Sequence, residues 1–224
     1  MSDGSENVTY LDKLLNLFPS YKKSDFFSLI LCGTDLENPY AGLAGICCDS
    51  VFDESLSFRS YFGDFPDSLI QYENVAEFLI DRSKSKLAAI QEFFVRVNSL
   101  SENPVFISSN GGTWTLPALQ SANDNLMTLD RLEKFQVLDL RKLYSFVTNQ
   151  KTDFQLGFLG KSMDACPSIP KTFGLFRMAG VWDIRVPDSG TKAEQRSRLT
   201  AELSAALLRE KFPRSSSSDE DETN

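Results

Sequence analysis

Three short apolar runs near the start of the chain limit the folds open to it. They are Ser24–Cys32 (SDFFSLILC), Leu43–Phe52 (LAGICCDSVF) and Phe58–Phe65 (FRSYFGDF). Each has strand length, and turn signals at Asn38-Pro39 and Asp53-Glu54 separate them, which predicts a three-strand antiparallel meander. The later pattern alternates. A helical stretch is expected from Glu73 to Val97, with a break near Ser83-Lys84-Ser85. Val105-Phe106-Ile107 is a short buried strand, and Leu116–Leu126 a helix. Phe135–Leu140 is another strand, followed by a helix or turn over Arg141–Val147. The last helix is expected over Thr191–Phe212, ended by Pro213. Strands and helices in this order predict an α/β domain with a mixed sheet flanked by helices.

Composition narrows the chemistry. The 224 residues carry 23 Lys and Arg against 31 Asp and Glu, a net charge of −8, and contain no histidine. Without histidine there is no Ser–His–Asp or Cys–His catalysis and no Cys/His zinc site. The acidic balance argues against a broad nucleic-acid surface. Cys32, Cys47, Cys48 and Cys166 have no metal-ligand spacing. They read as reduced, buried thiols of a cytoplasmic or nuclear chain. No secretory signal or membrane-length apolar run is evident, so no membrane partner is expected.

The expected organisation is an N-terminal lead over 1–23 with a short amphipathic helix at Leu11–Phe18, one domain over 24–212, and an acidic tail over 213–224. The tail's composition predicts disorder. Ser216, Ser217 and Ser218 each precede an acid by three residues, a spacing similar to casein-kinase-type modification sites, although the same run also reads as a solubilising tail.

Four local features carry a family resemblance. Leu29–Glu37 (LILCGTDLE) looks like a first strand ending in Asp-x-Glu at Asp35 and Glu37. Leu43 onward looks like the strand that turns back. Asn103–Leu119 (NPVFISSNGGTWTLPAL) is similar to a strand leading to Asn, then aromatic-Asp, then a helix opened by Leu-Pro. Val137–Leu140, followed by a short helix at Phe154–Met163, looks like the next unit. Together they resemble the DEDD-type 3′–5′ exonucleases. The implied fold is a ribonuclease H-like mixed sheet, with an antiparallel three-strand start and parallel strands after it.

Such nucleases use two divalent metals about 4 Å apart to activate water and stabilise the leaving oxygen. Hard cations need several carboxylate oxygens. The resemblance therefore implies Mg²⁺ or Mn²⁺ on Asp35 and Glu37, provided the chain is active. The set is incomplete. Thr115 stands where the second motif has aspartate, after the aromatic Trp114. The third motif has no His or Tyr at the proper offset, and Asp183 and Asp188 are the acids that precede the last helix. A first strand shifted by three residues would put Cys32 and Thr34 at the Asp-x-Glu positions instead.

The resemblance thus implies a degenerate, non-catalytic nuclease domain, with protein partners in an RNA- or DNA-processing complex. An active exonuclease is the alternative, and an adaptor with no nucleic-acid role is a third reading. An exposed apolar patch among Phe58, Tyr61, Phe62 and Phe65 would mark the adaptor. Asn110 and Trp114 are the candidate substrate-binding residues. Asn110-Gly111-Gly112 also reads as a plain turn, and Trp114 as a core aromatic. Asp35 and Glu37 also read as solvated loop acids, and Asp139 as a helix cap. Arg82, Lys84 and Lys86, like Arg196, Arg198 and Arg209, read as solvated helix faces.

Overall fold

Residues 26–62 form three antiparallel strands in a computed structural model, which describes residues 21–35, 37–109, 114–127, 129–147 and 174–208, with the backbone alone at 145 and 146. Strand β1 is Phe26–Gly33, β2 Leu43–Ser50 and β3 Ser57–Phe62. β1 pairs antiparallel with β2, and β2 with β3. Helix α1 (Asp67–Glu73) and a 3-10 turn (Glu77–Leu79) lead to a two-residue strand β4 (Ile80–Asp81). Helix α2 (Lys86–Asn98), β5 (Val105–Ser108), α3 (Leu116–Asn125), β6 (Gln136–Asp139) and α4 (Leu140–Val147) follow. Helices α5 (Leu175–Val181) and α6 (Lys192–Leu208) complete the described chain. The sheet order is β4-β3-β2-β1-β5-β6. β5 runs parallel to β1, and β6 parallel to β5. This is a ribonuclease H-like mixed sheet flanked by helices, with β4 added in parallel at the β3 edge.

Alternation along the strands decides which side chain enters which layer. Phe27 and Leu29 of β1, with Phe58 and Phe62 of β3, point to one face and pack against Phe93, Phe94 and Ala118 of α2 and α3. Phe26 of β1 packs on the opposite face with Met178 of α5 and Leu199 and Leu203 of α6. Ile30 and Cys32 continue that face beside Ala193. One irregularity interrupts the alternation. Cys32 pairs with Gly45 but Gly33 pairs with Leu43, so Ala44 is an extra residue in β2. Such a bulge shifts side-chain parity by one. It lets Leu43 share a face with Ile46 and Cys48.

The expected helix from Glu73 is corrected. Helix α1 ends there because Asn74 takes the left-handed conformation, φ 54°, and its N–H closes onto Ile70 O. Ile80 then pairs with Tyr61 at the sheet edge instead of continuing a helix. The break near Ser83–Ser85 is present. Asp81 Oδ1 accepts from Ser83 N and Lys84 N, and Ser85 caps α2 by accepting from Ala88 N. Helix α5 lies in a stretch where the pattern predicted no element. The segments Leu11–Phe18 and Phe154–Met163, Cys166, the end of the last helix with Arg209, and the tail lie outside the described residues. Among those described, no helix is long and apolar enough to cross a membrane.

The cation assignments change in two places. Arg196 is not on a solvated face: its guanidinium pairs with the buried Glu73 carboxylate at 2.6 Å. Lys86 is half-buried and donates to the carbonyls of Tyr40 and Ala41. Lys84 pairs with Glu92, while Arg82 is exposed.

Candidate functional site

In an open α/β sheet, the natural crevice lies at the carboxyl ends of the strands where chain direction reverses. Here that is the junction of β1 and β5, since β1 has an antiparallel neighbour on one side and a parallel one on the other. The connection after β1 carries Asp35. The segment before α3 carries Trp114 and Thr115.

Asp35 and Glu37 lie beyond β1, which stops at Gly33. Asp35 is half-buried, and its Oδ1 accepts from Glu37 N and Asn38 N, both at 2.9 Å. This is an Asx turn, in which the side chain stands in for a backbone carbonyl. Glu37 is exposed. Asn38 Oδ1 accepts from Ala41 N at 3.1 Å and extends the turn. The return is tight: a Cβ on Gly42 would stand 2.5 Å from Asp35 N. Lys86 anchors the connection from outside through the Tyr40 and Ala41 carbonyls. Partial burial holds its ammonium below the usual lysine range. In the alternative register of the first motif, Cys32 lies within β1 and is buried, while Thr34 follows the strand and is exposed.

Trp114 and Asp35 come together. The indole Nε1 donates to Asp35 O at 3.1 Å. The ring lies against Gly33, where a Cβ would stand 2.4 Å from Trp114 Cζ2. Trp114 is 8% exposed and belongs to the core cluster on the α2–α3 face. It therefore has little ring surface on which a base could stack.

Thr115 is buried, and its hydroxyl is hydrogen-bonded at 2.9 Å to that of Ser108 at the end of β5. Asp139 ends β6 and caps α4, accepting from Arg141 N at 2.9 Å and pairing with the Arg141 guanidinium at 3.2 Å. Asp183 sits on the exposed turn after α5 with φ 53°, its N–H donating to Gly180 O. Asp188 is exposed on the approach to α6. Asn110, Ser216, Ser217 and Ser218 lie outside the described residues.

Two divalent ions need several carboxylate oxygens. The crevice residues described here offer the Asp35 carboxylate, already engaged by two backbone N–H groups, the neutral hydroxyls of Ser108 and Thr115, and, opposite Ser108, the Asp139 carboxylate, already paired with Arg141. They do not fit a two-metal centre. Among the described residues, no three His, Cys, Asp or Glu side chains converge. Phe58, Tyr61, Phe62 and Phe65 are all buried, so they form core and not an exposed patch.

No protein-family model matches the chain, and no curated protein matches it significantly.

Sequence reasoning missed the polar layer beneath α6. Ser28 of β1 and Ser197 of α6 share a hydrogen bond at 2.9 Å, both fully buried. Tyr61 bonds to Thr191 at 2.5 Å and to the Cys47 thiol at 3.3 Å. Burial, reinforced by Cys47, pushes the Tyr61 phenol far above its ordinary range. A hydrogen bond to Cys47, then burial, raises the Cys32 thiol. Burial raises Cys48 as well. Thiols held protonated in this way are poor nucleophiles. The available signal was the unusual share of small and hydroxyl residues in the last helix, at Ala193, Ser197, Thr200, Ala201 and Ser204, which marks a helix lying close on a sheet.

Proposed function

We propose that this chain is a non-catalytic, exonuclease-like domain that serves as a protein-interaction module in an RNA- or DNA-processing complex. The observation that carries the reading is the second-motif position. Thr115 is neutral, buried and tied to Ser108, where the resemblance calls for a metal-binding carboxylate. The hydroxyl pair satisfies itself, as buried polar groups must. Trp114 filling the space over Gly33 and the self-contained Asp35 turn also support it. The fold alone carries no argument for activity. The processing-complex context comes from the family resemblance.

The test is incubation of the purified full-length chain with 3′-labelled single-stranded RNA and DNA in Mg²⁺ or Mn²⁺. The expected result is intact substrate, with no difference between the natural chain and Asp35→Ala. Metal-dependent shortening from the 3′ end that Asp35→Ala abolishes would overturn the proposal in favour of an active exonuclease.

A further inference from the structure

Strand β6 is the outer strand of the sheet beyond β5, and its ladder fixes which of its backbone groups face out. Gln136 N donates to Pro104 O at 3.0 Å, so Gln136 turns its N–H and C=O toward β5. In a parallel ladder the next residue turns both groups the other way. Val137 therefore presents a donor and an acceptor at the open edge. Among the described residues, neither group has a hydrogen-bond partner. We propose that the β6 edge is a docking site for an extended segment of a partner protein, which adds a strand to the sheet through the Val137 N–H and C=O. This goes beyond the non-catalytic reading and does not depend on it, since an active nuclease would carry the same edge.

Three observations select this occupant. The first is space beside the edge. A groove of about 850 Å³ runs between α3 and β6, and Val137 lines it. Its walls are mainly polar, with Gln120 from α3, Gln136 from β6, and the exposed Glu133 and Lys134 just before the strand. Such walls suit an extended chain, whose main-chain bonds supply affinity while a few side chains select sequence. The second is the pairing of groups. A donor and an acceptor on one strand residue are matched by another extended backbone. A phosphate backbone offers acceptors alone and would leave Val137 C=O without a donor. The third is the contrast with the opposite edge. There Asp81 O accepts from Gly63 N, so Ile80 is the outward residue of β4, and its N–H is already closed onto Glu77 O. Proteins commonly blunt exposed edges in such ways. The groove is also far smaller than the roughly 800 Å² per partner that a stable complex of folded chains buries, which favours a short segment over a second copy.

The experiment selects binders to the full-length chain from a displayed library of random peptides of about six residues, the usual strand length. The selected peptide is then synthesised and its affinity read by fluorescence anisotropy. N-methylation at alternate peptide residues is expected to weaken binding about tenfold, the scale of one lost hydrogen bond, with little effect at the residues between. Only every second N–H of an added strand faces β6. Val137→Pro deletes the outward N–H and spares the ladder to β5, and should also weaken binding about tenfold. Phe78→Ala, at a side chain 87% exposed near the opposite edge, should leave binding unchanged. A second measurement covers a Val137→Pro chain that fails to fold. In the natural chain, the Val137 amide should exchange with solvent about tenfold faster than that of Leu138, and slow when the peptide is added. The proposal is overturned if no peptide is selected, if N-methylation shows no alternation, or if a folded Val137→Pro chain binds as the natural one does. Slow exchange at Val137 without peptide overturns it as well. Protection independent of protein concentration would mean that the chain covers its own edge, and protection that grows with concentration that a second copy does.

Discussion

The two faces of the sheet are covered in different ways. On the α2–α3 face the contacts are aromatic. Phe93 packs on Phe58, Phe94 and Phe106 with ring centroids 5.4, 5.5 and 5.8 Å away. On the α6 face small side chains let the helix come close, and polar groups meet across the gap. Ser28 bonds to Ser197, Tyr61 to Thr191, and the Asp49–Arg59 pair at 2.6 Å continues the same layer. The first face is held by buried aromatic area and is sensitive to lost volume. The second has its own apolar core around Phe26, Leu199 and Leu203 and adds matched polar partners, so it is sensitive to a partner left alone as well. This difference separates how much a layer stabilises from how strictly it is specified.

The largest expected effect breaks the first face. Phe93→Ala removes a fully buried ring at the centre of the aromatic cluster and should cost about 3–5 kcal/mol in chemical denaturation. The next tests the second face. Arg196→Ala leaves the Glu73 carboxylate, 3% exposed, without its cation. The guanidinium is partly solvated, so a loss of about 2–3 kcal/mol is expected, at or below the low end for breaking a buried pair. Replacing both, as Glu73→Leu/Arg196→Met, should recover most of that loss. If the double variant is as unstable as Arg196→Ala, the face depends on volume after all and the contrast fails. The smallest effect sharpens the contrast. Ser197→Ala should cost about 0.5–1 kcal/mol, the loss of one buried hydrogen bond, because Ser28 Oγ keeps its bonds to the Asp49 main chain. Adding Ser28→Ala also removes its bonds to the Asp49 main chain, but the double loss should fall short of the sum of the two single losses by about the shared Ser28–Ser197 bond, a coupling that a thermal double-mutant cycle will read.

The meander was legible in the sequence because its three strands are nearly continuous apolar runs with turn residues between them, a local signal. Strands β5 and β6 were legible for the same reason. The stretch after Glu73 was not. Val75 and Ile80 are apolar at helix-compatible spacing, and the edge pairing with Tyr61 that makes Ile80 a strand residue is a contact across 19 positions of sequence. Within the candidate site, the resemblance drew the first and second motifs together as one site, and the described residues bring Trp114 against the Asp35 turn. Which atoms meet was not legible: the indole reaches a backbone carbonyl, and the carboxylate turns back on its own loop. The last helix, expected from Thr191, is present as α6 from Lys192. Arg196 on it read as solvated because nothing near it in sequence announces Glu73, which lies on a different helix 123 positions away.

The extra residue in β2 has a consequence for reading any other chain beside this one. With Ala44 present, Leu43 and Ile46 face the same side, although three positions apart. In a homologous strand without the bulge, that pair would sit two positions apart. An alignment that runs through positions 43–46 without a gap therefore matches inward residues to outward ones on one side of the bulge. The correct alignment opens one column there. A search that scores strands as unbroken period-two patterns loses the match at the strand that pairs with β1, beside the crevice.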